Sequence, residues 1–289
     1  MVIHRLSIDR YFLPESEREA TRLLEQASGR YFPIGGGTGF AFSKPKNLRG
    51  IVDLSRAGLD YVKKRKNGIH IGAATPIRTL MDSPALAGYC GGVLPEAALT
   101  IATTPLRNMI TVGGNAIQVY YWSSLPPLLL ALKARFVIAG KKKRTMPAES
   151  FYSKQPRRHL DRAEILREIL LPPGQKGVAG AFLKFSKTDT DFALVNVAAV
   201  IRAEGGICRD ASIVLGAVSP LPIRLQKAEK ILKGSSLSKE IIEKAAAEGI
   251  ESVKIMRDFR VSPGYKKKII PTLVERSLSL ASDRCLGDV

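Results

Sequence analysis

Apolar and polar positions follow two rhythms along the chain. Residues 3–12 alternate loosely and predict a first strand. Ala20, Leu23, Leu24 and Ala27 then recur at helical spacing. Before them, Ser16-Glu17-Arg18-Glu19 reads as a capping box, with the Ser16 hydroxyl capping the helix and Glu19 reaching back, and Gly29 stops the helix. The aromatic and apolar run Tyr31-Phe32-Pro33-Ile34 predicts a buried strand, and residues 51–54 predict another. Asn67-Gly68 predicts a two-residue hairpin turn between strands at 61–66 and 69–73. Thr75-Pro76 and Ser83-Pro84 each place a cap residue before a proline at the first helical position, so short helices follow. A further helix over 95–102 ends in a loop over 103–108. Residues 128–132 predict a buried helical segment, 135–139 and 143–146 a pair of strands about Gly140, and 165–171 another strand.

Pro172-Pro173-Gly174 punctuates the chain and is the candidate domain boundary. Beyond it, residues 180–185, 192–203 and 207–218 are strand-like, the last two joined through Glu204-Gly205-Gly206. Helices follow at 225–232, from Ser238, and at 263–280. Three antiparallel strands followed by helices make this part α+β.

Two glycine-rich stretches stand out against these rhythms. Gly35, Gly36, Gly37, Thr38 and Gly39 leave the end of the 31–34 strand, and Thr111-Val112-Gly113-Gly114-Asn115 lies further on. Glycine tolerates positive φ, so such turns let backbone N–H groups converge on an outside group, and phosphate is the usual guest. A plain turn is the competing reading for either stretch alone. Neither is the nicotinamide fingerprint, because a third glycine at the G-x-G-x-x-G spacing is missing, and no Gly-Lys-Ser/Thr makes a P-loop.

Composition narrows the class. At 289 residues with 45% apolar and 25% charged residues, the chain has the make-up of a soluble globular protein with room for two domains. The longest apolar run, 125–132, is short and holds Pro126 and Pro127, so no membrane span is expected. Arg5, Asp9 and Arg10 argue against a secretory signal, which makes the cytoplasm the expected location. Cys90, Cys208 and Cys285 are scattered without a C-x-x-C, so neither a zinc nor a four-thiolate iron–sulfur site can be built, and the thiols read as spectators. His4, His70 and His159 share no metal spacing and read as non-catalytic. No nucleophile elbow is present.

The charge changes the picture more. Forty-five basic against 26 acidic residues give a formal +19, with clusters at Lys63-Lys64-Arg65-Lys66, Lys141-Lys142-Lys143-Arg144 and Lys266-Lys267-Lys268. That balance admits a basic nucleic-acid-binding module. The clusters lack the aromatic interleaving of a stacking platform, and docking on an acidic partner subunit accounts for the charge equally well.

An ordered set of motifs resembles one family. Gly35-Gly36-Gly37-Thr38, Asp53-Leu54-Ser55, Ile71-Gly72-Ala73, Arg107-Asn108 and Thr111-Val112-Gly113-Gly114-Asn115 follow the order found in the FAD-binding subunit of the molybdenum hydroxylases, the medium subunit of the carbon monoxide dehydrogenase and xanthine dehydrogenase type. Leu215-Gly216-Ala217-Val218-Ser219-Pro220, Pro222-Ile223-Arg224, Ala228-Glu229 and Arg260-Val261-Ser262-Pro263-Gly264-Tyr265-Lys266 resemble that family's C-terminal flavoprotein domain. The resemblance implies an α+β chain. Residues 1–174 would form a two-lobed FAD-binding domain of the vanillyl-alcohol-oxidase (PCMH) type, with lobes at about 1–54 and 55–174, and residues 175–289 a smaller C-terminal domain. It implies FAD on this chain. Molybdopterin would sit on a large partner subunit and a two-iron two-sulfur cluster on a small one, an arrangement that admits a dimer of heterotrimers. Electrons would pass from the iron–sulfur subunit through FAD to an acceptor such as NAD, a quinone or oxygen. A stand-alone FAD reductase of the same fold superfamily is the alternative within this chemistry, and its substrate loops are not evident.

By the same resemblance, Ile34, Gly35, Gly36, Gly37, Thr38 and Gly39 form one diphosphate loop and Thr111, Val112, Gly113, Gly114 and Asn115 the other. Backbone amides would do most of the binding, helped by the Thr38 and Thr111 hydroxyls and the Asn115 amide. Ile101, Leu166 and Lys184 fall where the family packs or hydrogen-bonds the flavin and adenosine ends, and Phe192 where it places an aromatic ring over the isoalloxazine. The chain departs from the pattern in four places. Gly39 replaces an acidic or polar residue, Ser124 an aspartate that binds a ribose hydroxyl, Ile110 a glycine and Pro105 a glutamine. Arg107 is read either as a phosphate contact or as half of an ion pair, and Tyr120-Tyr121-Trp122 either as a flavin or partner face or as packing between lobes.

Overall fold

A computed structural model describes residues 8–40 and 48–287. Strand β1 (Arg10–Phe12) leads to helix α1 (Glu17–Gln26) and then to β2 (Tyr31–Ile34) and β3 (Gly50–Asp53). Residues 3–7 of the expected first strand lie outside the described residues. The Ser16 hydroxyl accepts the Glu19 amide at 3.2 Å, as its sequence context predicts, but the Glu19 carboxylate turns to the Glu15 amide at 2.9 Å instead of that of Ser16. The three strands form a parallel sheet in the order β1-β3-β2. Ala20 and Leu24 of α1 bury themselves with Val52 and Leu54, so the helix covers one face of the sheet.

The second sheet is built from β4 (Val62–Arg65) and β5 (Gly68–Gly72), then β6 (Arg135–Ala139), β7 (Arg144–Pro147) and β8 (Ile165–Leu171), in the antiparallel order β4-β5-β8-β6-β7. Its hairpin turn is Lys66-Asn67, one residue earlier than the expected Asn67-Gly68, because Arg65 pairs with Gly68. Gly68 opens β5 at φ +127°, and a Cβ there would stand 2.0 Å from the Leu171 carbonyl oxygen. A close approach to β8, not a turn, therefore demands this glycine.

Between β5 and β6 runs a chain of short helices: α2 (Ile77–Asp82), α3 (Pro84–Ala87), α4 (Val93–Leu99), α5 (Thr104–Met109), α6 (Val112–Ile117) and α7 (Leu125–Ala131). Helix α8 (Ala148–Phe151) follows β7. Three expectations are corrected here. Pro76 is the cap position of α2, not its first residue; the expected loop at 103–108 is helix α5; and the second glycine stretch is the start of α6 with Thr111 as its cap. Helix α7 is buried throughout, and Phe136 of β6 stacks on Phe151 at 3.9 Å between ring centroids within the largest apolar cluster.

The third sheet comprises β9 (Val178–Phe185), β10 (Val195–Glu204), β11 (Ile207–Gly216) and a fourth, two-residue strand β12 (Ile223–Arg224) that the sequence does not announce. The expected strand at 192–203 begins only at Val195, which leaves Phe192 on a loop. Helices α9 (Gln226–Leu232), α10 (Lys239–Glu248) and α11 (Pro263–Leu286) close a separate apolar cluster over it. Helix α11 runs beyond the expected Leu280. Arg284 near its end forks onto Glu96 of α4 at 2.9 and 3.3 Å and donates to the Gly180 carbonyl at 2.7 Å, tying this sheet to the helices before it. Among the described residues no helix is long and apolar enough to cross a membrane.

Candidate functional site

Two backbone segments meet at the end of β2. The glycine turn after Ile34 lies against the segment joining α5 to α6, so closely that a Cβ on Gly36 would stand 1.4 Å from the Met109 carbonyl oxygen. One on Gly35 would stand 2.5 Å from Thr111 Oγ1. Only residues without side chains allow this contact. The 110–113 segment is itself pinned to the end of β5, with Val112 N donating to Thr75 O at 2.8 Å and Gly113 N to Ala73 O at 2.9 Å.

A cavity of about 520 Å³ opens over this meeting point. Ile34, Gly35, Gly36, Gly37, Thr38, Gly39, Ile101, Thr111, Gly114, Asn115, Ser124, Lys184 and Phe192 all reach its wall. Val112 and Gly113 do not: Val112 is fully buried in the core, and Gly113 faces Ala73, where an added Cβ would come within 2.6 Å. Leu166 lines a smaller adjoining cavity of about 100 Å³, shared with Gly35, Thr111 and Gly113.

The two glycine stretches offer a ligand different groups. The amides of Gly36, Gly37 and Thr38 donate to no acceptor among the described residues. Those of residues 112–115 are all engaged. Val112 and Gly113 bond to the β5 end as above, Gly114 N donates to Thr111 Oγ1 at 3.2 Å, and Asn115 N donates to Thr111 O at 2.9 Å. The expectation that backbone amides act from both sides is therefore corrected. The second stretch has become a helix start, which consumes its own amides, and presents side chains instead: the Thr111 hydroxyl and Asn115, whose buried Oδ1 has no partner among the described residues.

Among the described residues Arg107 pairs with no carboxylate and does not reach the cavity wall. Buried, it donates from Nη1 to the carbonyls of Leu99, Ile101 and Ala102 at 3.1, 3.0 and 2.8 Å, and from Nη2 to Thr104 Oγ1 at 3.0 Å. A cation at the carbonyl end of α4 is well placed, and it fixes the 99–102 turn on the cavity wall. Lys184 does similar work from β9, donating to the carbonyls of Thr100, Asp189 and Asp191 at 2.8, 2.6 and 3.0 Å. Burial lowers its pKa, partly opposed by Asp189 and Asp191. Lys184 and Asp191 are the only charged residues among the described lining. Ser124 is buried and accepts from the Thr100 hydroxyl at 3.4 Å.

Aromatic rings form one wall. Trp122 lies parallel to Tyr120 (5.1 Å, 4°) and stacks on Phe192 (4.7 Å, 29°), while Tyr121 meets it edge-on at 4.6 Å. Tyr120 Oη also donates to Gly39 O at 3.3 Å, joining the wall to the glycine turn. Phe192 is 57% exposed despite this stacking. The 120–122 run thus borders the cavity, a role its sequence leaves open beside packing between lobes. Tyr120 and Trp122 belong with the candidate site, and three adjacent aromatics just after the second glycine stretch are the signal for them.

The basic clusters are partly neutralised where they are exposed. Lys141 pairs with Glu25 at 2.8 Å and Lys143 with Glu17 at 3.3 Å, and Lys63 sits over the Tyr61 ring at 5.0 Å. Lys266, by contrast, is fully buried. His70 is held between Glu168 Oε2 at 3.1 Å and Asn67 Oδ1 at 2.9 Å.

A cavity of this size, with unused amides on a glycine turn, an unpartnered buried amide oxygen opposite and a stacked aromatic wall, fits a dinucleotide carrying a diphosphate and a flat ring. Comparison with known proteins agrees. The family described as the FAD binding domain in molybdopterin dehydrogenase matches residues 6–174, and the CO dehydrogenase flavoprotein C-terminal domain matches residues 180–281. The chain is 29% identical to the carbon monoxide dehydrogenase medium chain of Hydrogenophaga pseudoflava over 95% of its own length and 97% of that chain. It is 30% identical to the 6-hydroxypseudooxynicotine dehydrogenase complex subunit alpha of Paenarthrobacter nicotinovorans, covering 95% and 94%. Its fold superposes on the solved carbon monoxide dehydrogenase from Hydrogenophaga pseudoflava with a TM-score of 0.90, over 96% of this chain and 98% of that one at 29% identity. The chain belongs to the FAD-binding family of the molybdopterin dehydrogenases, as a medium subunit of the molybdenum hydroxylase type.

Proposed function

We propose that this chain is the electron-transfer subunit of a multi-subunit molybdopterin-dependent oxidoreductase, passing electrons from an iron–sulfur subunit through FAD to an acceptor such as NAD, a quinone or oxygen. The partners are a molybdopterin-binding large subunit and a two-iron two-sulfur small subunit, assembled as a dimer of heterotrimers in the cytoplasm. The carrying observation is that Gly36, Gly37 and Thr38, whose amides donate to no acceptor among the described residues, line one cavity together with Thr111 and Asn115. The flavin, when bound, supplies the redox chemistry. The protein binds and orients it. The glycine turn would hold the diphosphate through its amides, the Thr38 and Thr111 side chains would add hydroxyls, and Asn115 Oδ1 would accept a hydroxyl of the cofactor. Phe192, Trp122 and Tyr120 present a flat wall to a ring system, Ile101 and Leu166 pack its apolar parts, and Lys184 keeps the Thr100 turn beside it. No general base in this chain is needed. We take Pro172-Pro173-Gly174 as the boundary between the FAD-binding domain and the C-terminal domain.

The purified chain mixed with FAD is expected to retain flavin stoichiometrically yet not oxidise an organic substrate alone. Gly114→Val tests the site directly. A Cβ at Gly114 would lie 2.8 Å from Thr111 Oγ1, so the branched side chain displaces that hydroxyl and projects into the cavity. The variant should fold and lose flavin, whereas full flavin occupancy would remove the second stretch from the site. Co-expression with the partner genes followed by metal and cofactor analysis tests the assembly. A chain that never associates with a molybdenum subunit would overturn the electron-transfer role.

A further inference from the structure

The motif Arg260-Val261-Ser262-Pro263-Gly264-Tyr265-Lys266 lies in the C-terminal part of the chain, and the binding role outlined above does not use it. Ser262 caps α11, accepting the Tyr265 amide at 3.2 Å, and this sets Lys266 in the first turns of the helix. Fully buried, Lys266 donates to Asp258 Oδ2 at 3.0 Å and to Ala217 O at 2.6 Å. Asp258 in turn receives Arg260 through Nε at 3.0 Å, Nη2 at 2.7 Å and its backbone amide at 3.0 Å. The guanidinium is thereby fixed from behind, with its outer edge turned to another segment. Nη1 donates to Phe192 O at 3.0 Å and Nη2 to Ala193 O at 2.9 Å, while the guanidinium carbon lies 5.6 Å from the centre of the Tyr121 ring.

The residues it grips are those that need holding. Residues 186–194 form no helix or strand, yet Thr190, Asp191, Phe192 and Ala193 line the cavity. Lys184 holds the carbonyls of Asp189 and Asp191 on one side. Arg260 holds the next two carbonyls and also the outer face of Tyr121, which packs edge-on against Trp122, itself stacked on Phe192. We infer that Arg260, anchored by Asp258 and Lys266, is a positioning residue that sets the aromatic wall of the FAD cavity from the C-terminal domain. A bidentate planar cation suits this task, since it satisfies a carboxylate and two carbonyls at once. The part of the inference that concerns flavin rests on the FAD reading above; the part that concerns the wall does not.

Trp122 is the chain's sole tryptophan, so the wall carries its own reporter. Flavin-free wild-type, Arg260→Gln and Arg260→Lys proteins would be compared by acrylamide quenching of Trp122 fluorescence, then titrated with FAD and examined by visible circular dichroism of the bound flavin. Arg260→Gln should raise the quenching constant about two-fold, weaken FAD binding about ten-fold and alter the flavin dichroism. Arg260→Lys, which keeps the charge on Asp258 but cannot span both carbonyls, should fall between. It carries the test alone if the glutamine variant does not fold. Unchanged quenching and dichroism in a folded variant would overturn the inference. If Trp122 loosens as expected but even the wild-type protein takes up no FAD, Arg260 still sets the wall and the FAD reading is what fails.

Discussion

At Gly36 a single added carbon decides whether the two backbone segments can meet. Its Cβ would fall 1.4 Å from a carbonyl oxygen, and backbone, unlike the end of a long side chain, cannot swing aside. Gly37 differs: its φ is +70°, but a Cβ there finds no neighbour nearer than 4.0 Å. Gly36→Ala should therefore cost the larger share, about 1–3 kcal/mol or more in urea unfolding, and abolish flavin retention. Gly37→Ala should cost about 1–2 kcal/mol for the left-handed backbone alone and leave weakened binding. Equal losses at the two positions would show that close approach is not what demands glycine at 36. Asn115 gives the opposite test. Its buried Oδ1 has no partner among the described residues, so Asn115→Ala should leave thermal stability unchanged or slightly raised. The same change should weaken FAD binding by about 1 kcal/mol, near five-fold in Kd by titration.

Among the elements, legibility in the sequence follows the source of each element's stability. Strand β8 has the bounds its apolar positions predict, Ile165 and Leu171, and is mostly buried, whereas β2 has the predicted bounds Tyr31 and Ile34 but is only half-buried along its length, which corrects the expectation of a buried strand there. Helices α5 and α6 are a different case. Val112-Gly113-Gly114-Asn115 has little intrinsic tendency to coil, and α6 forms because Thr111 caps it and its first amides find Thr75 and Ala73, contacts that no local pattern encodes. The start of α5 was readable, since Thr103-Thr104-Pro105 carries the same cap-then-proline signal as Ser83-Pro84. The hairpin turn lies one residue earlier than expected for a similar reason, since what demands Gly68 is close approach to the Leu171 carbonyl, remote in sequence. The candidate site was legible as two glycine stretches but not as a division of labour between amides and side chains. Arg107 marks the limit most clearly, as three of its partners are carbonyls, and a carbonyl leaves no trace in residue type. Arg107→Met should strand those carbonyls and destabilise the protein by about 2–4 kcal/mol in urea unfolding, with flavin binding lost in step. A loss below about 1 kcal/mol would mean that water replaces the guanidinium there.

Over the whole molecule, charge and burial together set the response to acid. Two carboxyls in different sheets' surroundings are held below the usual range. For Asp258, burial pushes upward, but the hydrogen bonds from Arg260 and Lys266 prevail; for Glu168, burial is likewise outweighed by the bonds from Tyr61 and His70. A carboxyl that titrates lower folded than unfolded lets the unfolded chain take up protons first as pH falls. The stability these groups supply is thus complete above about pH 5 and drains away as pH drops through the unfolded and then the folded values. Protonation also adds positive charge to a molecule that already carries +19, so self-repulsion works in the same direction. The two contributions separate by salt and by mutation. Raising ionic strength from about 0.05 to 0.5 M shortens the reach of repulsion among exposed charges and should move the acid-unfolding midpoint to lower pH, while leaving the buried Asp258 contact nearly untouched. Asp258→Asn removes the buried titration and leaves Lys266 facing an amide, so the variant should be less stable at pH 7. Its melting temperature should also fall less steeply between pH 5 and 3 than that of the wild-type protein. An unchanged slope would assign the acid response to Glu168 and the surface charge and leave Asp258 no share in it.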